Sequence, residues 1–127
     1  MAMYKVDIHN NGGYLFKVKS KDYSFMVDTE GKGITPPDAL LASLGSCIGV
    51  YVRKYAEGAK LDIGEFDVTV EAEFAKEKPV SFKTINVSIA LNSKIDEDRK
   101  KALLAFVRNC PVHNTLESVP AVEIELK

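Results

Sequence analysis

Residues 35–58 read TPPDALLASLGSCIGVYVRKYAEG, and this stretch decides the fold. Thr35 is a natural N-cap, Pro36 suits the first helical position and Gly58 ends the run, so the pattern predicts a helix of about twenty residues. Apolar side chains cover nearly its whole circumference: Leu40, Leu41, Leu44, Cys47, Ile48, Val50, Tyr51, Val52 and Tyr55. A helix that is apolar all round is buried on all sides, which a single small sheet cannot achieve. We therefore infer that a second chain covers its other side.

Three short strands are predicted before this helix. Apolar residues alternate with other residues in three runs, and the sequences NNGG and SKD between the runs supply turn residues. The alternating residues are Tyr4, Val6 and Ile8, then Tyr14, Phe16 and Val18, then Tyr23, Phe25 and Val27. This pattern predicts an antiparallel meander with one buried face.

Two long strands, two helices and a last strand are predicted after the helix. Phe82 falls out of phase with the alternation of the second long strand, which indicates a bulge near Lys83. Ser93 is the expected cap of the next helix, and Pro111 ends that helix or starts a short one. These elements cover residues 65–74, 80–92, 93–110, 111–119 and 121–127. The order β-β-β-α-β-β-α-α-β indicates an α+β fold, with antiparallel strands packed around the cysteine-bearing helix, and a single domain over residues 1–127.

Charge and composition narrow the classes of function. The chain carries 17 basic and 18 acidic side chains, a formal net charge of −1, and its isoelectric point is near 6.1. This balance gives no long-range attraction for nucleic acid or an anionic membrane, so neither is an expected partner. The first residues lack the pattern of a secretory signal, and no apolar run is long enough to span a membrane. We expect a cytoplasmic protein, whose two cysteines are core thiols or a redox or metal pair.

Cys47 lies in the middle of the apolar helix and admits two interpretations. Free cysteine is among the most buried residue types, so a packed core thiol is one of them. The other depends on Gly45, Ser46 and Gly49, which leave room for another element, or for a substrate, to approach the sulfur. A position inside a helix does not itself lower the pKa of a thiol, so an activating group would have to come from elsewhere in the fold.

Cys110 precedes Pro111 and also admits two interpretations. If Pro111 is the first residue of a helix, Cys110 is at or near the N-cap, where backbone amides stabilise a thiolate. Alternatively, Cys110 ends the preceding helix with its sulfur inside. His113 follows on the same helical turn, and we expect it to face solvent.

Other kinds of site are poorly supported. A zinc site needs about four ligands, and the chain adds only His9 and His113 to its two cysteines, without CxxC or HxxxH spacing. His9 is expected at the surface near a turn. The NNGG turn joins two strands and does not open a phosphate-binding helix, and SLGSC does not match the nucleophile elbow of hydrolases.

Taken together, the two cysteine segments resemble the OsmC/Ohr family. TPPDALLASLGSCIGVYVRKYA, followed some sixty residues later by VRNCPVHNTL, carries the resemblance, and LLASLGSC is closest to the OsmC-like branch. The resemblance implies an intertwined homodimer with the cysteine helices at its centre and each active site at the interface. It also implies that Cys47 is the peroxidatic cysteine and Cys110 the resolving one.

The implied activity is that of a peroxidase. Cys47 would attack the O–O bond of an organic hydroperoxide and become a sulfenic acid, Cys110 would condense with it, and an external dithiol would reduce the disulfide. The resemblance thus implies that no metal or organic cofactor is required. Apolar side chains near Cys47 would favour organic hydroperoxides, although they could equally be core: Leu40, Leu41, Leu44 and Val50.

The activating groups of the family have no direct match in this chain. The glutamate that usually follows the proline before the cysteine helix is replaced by Pro37, so Asp38 is the first carboxylate. Asp38 is therefore a candidate site residue, with helix capping as its other interpretation. No arginine precedes Arg53, and four lysines are possible replacements for the family's upstream arginine: Lys17, Lys19, Lys21 and Lys32.

Two further functions remain open. One is a protein that binds a small apolar ligand at the dimer interface, and the other is a redox sensor whose disulfide forms only stoichiometrically.

Overall fold

The computed structural model describes residues 3–127, and these divide into two compact units, one ending at Leu41 and the other beginning at Ala42. Antiparallel strands and three helices confirm the predicted α+β class. The elements are β1 Asp7–Asn10, β2 Leu15–Ser20, β3 Tyr23–Asp28, α1 Pro36–Gly58, β4 Phe66–Ala75, β5 Ser81–Leu91, α2 Glu97–Val107 and α3 Pro111–Ser118.

The first unit contains the predicted meander. The strands β1, β2 and β3 pair in sequence order, and all neighbours are antiparallel, with Ile8 opposite Val18 and Val18 opposite Phe25. The predicted buried face is wrong for the single chain, because Ile8 and Phe25 are 58% and 53% exposed. Alternation identified the strands correctly, but the single chain does not cover their apolar side.

A tight loop leads from this sheet into α1, and Asp28 holds it. Asp28 is only 3% exposed, and its carboxylate accepts hydrogen bonds from the backbone amides of Glu30 at 3.0 Å and Lys32 at 2.9 Å. Its own amide donates to the carbonyl of Ile34 at 3.0 Å. A buried carboxylate saturated by backbone donors stabilises the turn that delivers Thr35, the cap of the helix.

In the second unit, α1 packs on the β4–β5 hairpin along one stripe. Leu44, Ile48, Val52 and Ala56 recur every four residues on this stripe, and all are buried. The opposite side remains open in the single chain, where Val50 is 51% exposed. The helix bounds agree with the prediction, whereas burial on all sides is not reached by one chain. No helix in the described range 3–127 has the combined length and apolarity to cross a membrane.

The hairpin of β4 and β5 follows the predicted alternation. Glu73 pairs with Thr84, but Phe74 pairs with Phe82, so Lys83 is an extra residue on β5. This confirms the predicted bulge. The rings of Phe74 and Phe82 stack with centroids 4.3 Å apart beyond it.

The predicted cap of the next helix is wrong. Asp96, not Ser93, is the N-cap of α2, since its Oδ1 accepts a hydrogen bond from the Arg99 amide at 2.8 Å. Ser93 instead donates from Oγ to the carbonyl of Ile63 at 3.4 Å. A hydroxyl engaged thirty residues away cannot cap the helix that follows it.

The predicted last strand is also wrong for the single chain. Residues 119–127 form neither strand nor helix, and Val122, Ile124 and Leu126 are 77%, 93% and 100% exposed. The alternation of apolar and acidic residues is that of a strand. A strand also needs a neighbour with which to hydrogen bond, and these residues have none within the described chain.

Candidate thiol site

Cys47 is half-buried on α1 and packs against the core of the second unit. The two glycines beside it make room for another element of the fold. A methyl group placed on Gly45 would lie 2.9 Å from Val70 Cγ2, and one on Gly49 would lie 3.7 Å from the Phe66 ring. Strand β4 therefore occupies the space that the glycines leave.

Cys110 combines the two interpretations that its sequence left open. It is the N-cap of α3, and its Sγ accepts a hydrogen bond from the His113 backbone amide at 3.4 Å. Its side chain is also completely buried, with 0% exposure. Cys110 is thus a thiol at the start of a helix with its sulfur inside the core.

The structure brings the two thiols into contact. Burial raises the pKa of the Cys110 thiol, a hydrogen bond with Cys47 raises it further, and the His113 amide acts in the opposite direction. Desolvation disfavours the thiolate because a charge in an apolar surrounding loses its hydration. Cys110 therefore retains its proton at pH values where an exposed thiol would ionise.

His113 borders a pocket instead of facing solvent as predicted. Its side chain is 31% exposed, and its Nε2 lies 3.6 Å from Glu117 Oε1. The pocket has a volume of about 340 Å³ and is lined by Leu44, Ile48, Phe82, Lys83, Ile85, Val87, His113, Leu116 and Glu117. Neither cysteine lines it, but Leu44 and Ile48 are neighbours of Cys47 on α1, and the amide of His113 donates to Cys110 Sγ, so the pocket adjoins the thiol pair.

Lys83 at this pocket was not recognised as a site residue from the sequence. A signal for it existed, since the phase shift at Phe82 predicted the bulge that contains Lys83. Bulges redirect a side chain relative to the rest of a strand, and they recur next to active sites.

Asp38 is engaged in helix capping. Its carboxylate accepts a hydrogen bond from the Thr35 hydroxyl at 2.8 Å, and its amide donates to the same Oγ1 at 3.3 Å. These reciprocal bonds satisfy polar groups at the first turn of α1. These contacts bear out the capping interpretation, and a role toward a substrate stays a prediction.

His9 lies on β1, is exposed and has its Nε2 2.6 Å from Asn11 Oδ1. Among residues 3–127, no three histidine, cysteine, aspartate or glutamate side chains are grouped so that they could hold a metal ion.

Comparison with known proteins decides the family. The model of the family described as OsmC-like protein matches residues 29–125, which include both cysteines. The chain belongs to the OsmC-like protein family. None of the curated proteins matches it.

Several solved structures share the fold of this chain. An OsmC-like protein from Mycoplasma pneumoniae has 23% identity and a TM-score of 0.83, over 93% of this chain and 89% of that one. A hypothetical protein from Aquifex aeolicus has 18% identity and a TM-score of 0.83, over 94% and 90%. An organic hydroperoxide resistance protein OsmC from Legionella pneumophila has 21% identity and a TM-score of 0.67, over 91% of each chain.

Proposed function

We propose that the protein is a thiol-dependent peroxidase that reduces organic hydroperoxides through a Cys47 sulfenic acid and a Cys47–Cys110 disulfide. The observation that carries the proposal is the contact between the two thiols, one half-buried and one fully buried. Two free cysteines in contact, in a chain of this family, support an intramolecular disulfide formed when a sulfenic acid condenses with the second thiol.

Each step balances without a cofactor. The Cys47 thiolate attacks one oxygen of the hydroperoxide ROOH, the O–O bond breaks, and ROH leaves after taking a proton, so that Cys47 becomes a sulfenic acid. The Cys110 sulfur then attacks the Cys47 sulfur, the S–OH bond breaks and water leaves. An external dithiol reduces the disulfide by exchange and is itself oxidised.

The surroundings of the two thiols support this division of roles. Cys47 retains partial exposure, so a substrate can reach it, whereas Cys110 is fully buried. Cys110 needs to reach only Cys47. The His113 amide, which opposes the rise of the Cys110 pKa, is positioned to stabilise the thiolate when Cys110 attacks.

Two observations support an organic substrate. The pocket of about 340 Å³ beside the pair is lined mainly by apolar side chains, including Leu44, Ile48, Ile85 and Val87. Apolar walls bind an alkyl or aryl group, which hydrogen peroxide lacks. The Legionella pneumophila protein of the same fold is described as an organic hydroperoxide resistance protein.

We further propose that the chain, as one domain, acts as a homodimer in the cytoplasm. Leu40 and Val50 on α1 are 40% and 51% exposed, and Phe25 on β3 is 53% exposed. Apolar residues exposed on a helix and on a sheet of the same chain are the kind of surface that a second copy buries. Light scattering at micromolar concentration is expected to give twice the chain mass, and the mass of one chain would contradict the dimer.

Asp38 is proposed to support catalysis in addition to capping α1. Asp38→Asn removes the charge but keeps a side-chain oxygen that can accept from the Thr35 hydroxyl, whereas Thr35→Ala keeps the charge and removes the capping contact, so the two variants separate the carboxylate from the cap. If the carboxylate acts on the thiols or on the substrate, Asp38→Asn lowers the peroxidase rate of the folded protein well below that of Thr35→Ala. Equal rates would show that Asp38 only caps.

The test of the function is thiol consumption followed by turnover. Reduced protein treated with one equivalent of cumene hydroperoxide is expected to lose both thiols within minutes, and then to reduce excess hydroperoxide repeatedly when a dithiol is supplied. Retention of both thiols would indicate a ligand-binding protein. Loss of both thiols without repeated turnover would indicate a redox sensor, and either result contradicts the peroxidase.

A further inference from the structure

A second pocket lies away from the cysteines, between the end of β5 and helix α2. Its volume is about 540 Å³, and it is lined by Ile89, Leu91, Ser93, Lys94, Ile95, Lys100, Leu103 and Leu104. This volume is within the range of small-molecule sites, roughly 300–1,000 Å³. The pocket shares no residue with the one beside His113, and neither cysteine lines it.

The walls of this pocket contain two kinds of side chain, aliphatic and basic or polar. Five of the lining residues are aliphatic, and Leu103, which is 6% exposed, belongs to the core of the second unit. The remaining lining residues are Ser93, Lys94 and Lys100, and no acidic side chain is among them. An apolar wall with two ammonium groups fits a ligand that has an alkyl body and one anionic end.

The ion pair between Lys100 and Glu97 at this pocket is weak. Lys100 Nζ lies 3.2 Å from Glu97 Oε1, with the side chains 54% and 80% exposed. An ion pair this exposed contributes little, because water screens it and both side chains are free to move. Lys100 can therefore exchange Glu97 for a ligand carboxylate at small cost.

We propose that this pocket binds a free medium-chain alkyl carboxylate, with its chain against Leu91, Leu103 and Leu104 and its carboxylate at Lys94 and Lys100. Phosphates and sugars lack an alkyl part to fill the aliphatic wall. An alkyl cation would meet two like charges. The proposal concerns a site separate from the thiol pair and does not depend on peroxidase activity.

Calorimetric titration of the reduced protein with decanoate tests the site, with decanol and decyltrimethylammonium as probes of equal chain length. Decanoate is expected to bind with a Kd below about 1 mM, and both other probes at least about fivefold more weakly, because they cannot pair with the lysines. Added salt is expected to weaken the binding of decanoate and not that of decanol. Equal affinity for decanoate and decanol, or no decanoate binding, would overturn the proposal.

Substitutions locate the ligand. Lys94→Met and Lys100→Met are each expected to weaken decanoate binding about three- to tenfold. Lys101→Met is the matched control on the same helix, because Lys101 is exposed and does not line the pocket, and it is expected to leave the affinity unchanged. Lys83→Met probes the pocket beside His113. A loss of affinity with Lys83→Met but not with Lys94→Met or Lys100→Met would put decanoate in that other pocket and overturn the assignment.

Discussion

The two cysteines meet, although the chain holds them in opposite ways. Cys47 lies inside a long helix, where the backbone amides are already bonded to the preceding turn, and its side chain is half-buried. Cys110 lies at the start of a short helix, where the His113 amide is free to bond its sulfur, and its side chain is fully buried. The Cys47 sulfur can be reached from outside but has no free backbone amide beside it. The Cys110 sulfur has such an amide but cannot be reached from outside.

This contrast is the physical basis of the different roles proposed for the two thiols. Access determines which sulfur a peroxide reaches first, so it selects Cys47. Burial raises the pKa of Cys110 and keeps that sulfur protonated, which protects it from direct oxidation until Cys47 has reacted. The difference between the two sites therefore predicts the order of the reaction.

The largest expected effect comes from removing each thiol in turn. Cys47→Ser is expected to lower turnover of cumene hydroperoxide with a dithiol by about a thousandfold or more, because the attacking group is lost. Cys110→Ala is expected to consume about one equivalent of hydroperoxide and then to stall or to depend on the external thiol. An assay that couples hydroperoxide reduction to oxidation of the dithiol measures the turnover of both variants. Undiminished turnover by Cys47→Ser would reverse the assignment.

The alkylation rates of the two thiols measure how differently reagents reach them. In native protein at pH 8, iodoacetamide is expected to modify Cys47 at least about tenfold faster than Cys110, because Cys110 is buried and its pKa is raised. Mass spectrometry of the peptides at successive times gives both rates. In denaturant the two rates should become similar, which controls for the local sequence. Faster modification of Cys110 in the native protein would be incompatible with its burial.

The packing of α1 around Cys47 is tested by substituting Gly45 and Gly49, which lie two residues before and after it. Gly45→Ala is expected to lower the free energy of unfolding by about 1–2 kcal/mol, because the new methyl would lie 2.9 Å from Val70 Cγ2. Gly49→Ala is the matched control, with 3.7 Å to Phe66, and is expected to gain up to about 1 kcal/mol from helix propensity. Urea denaturation compares them.

Adding Val70→Ala to Gly45→Ala relieves the contact that the new methyl makes. The double variant is then expected to lose less than the sum of the two single changes. Equal stability of Gly45→Ala and Gly49→Ala would show that β4 does not approach the helix as closely as described.

The smallest effect is on the pH dependence of stability. The Cys110 pKa is raised from an ordinary value of 9.0, so the folded chain keeps a proton that the unfolded chain loses above that pH. This contribution is full below pH 9.0 and is lost as the pH rises through the folded pKa. Between about pH 8 and 10, the reduced wild type should therefore lose more stability than Cys110→Ala, as thermal unfolding at each pH can measure. Parallel curves would contradict the raised pKa.

Local patterns were sufficient to predict most of the elements. The correctly predicted features depend on neighbours within a few residues. They are the cap and the last residue of α1, the meander, the hairpin bulge at Lys83 and the helix after Pro111. Wrong predictions arose where a distant group decided the outcome. Ser93 bonds the carbonyl of Ile63, and the alternating residues 121–127 have no strand beside them within the described chain.

The candidate site was less accessible to sequence reasoning. Nothing in the spacing of Cys47 and Cys110 shows that they touch, and the pairing was predicted from the family resemblance. The glycines beside Cys47 admitted either a substrate or another element, and only the packing of Val70 against Gly45 shows that another element lies there. His113 looked like a surface residue because its contact with the Cys110 sulfur is made by its backbone amide.

The most direct test of the account is to trap the first oxidised sulfur. Cys110→Ala protein, which cannot form the internal disulfide, is treated with one equivalent of cumene hydroperoxide in the presence of dimedone, which labels sulfenic acids. Peptide mass spectrometry is expected to show the adduct on Cys47 in nearly every chain, whereas Cys47→Ser protein treated in the same way should carry almost none on Cys110. Absence of the adduct from Cys47, or equal labelling of Cys110 in the Cys47→Ser protein, would contradict the proposed roles.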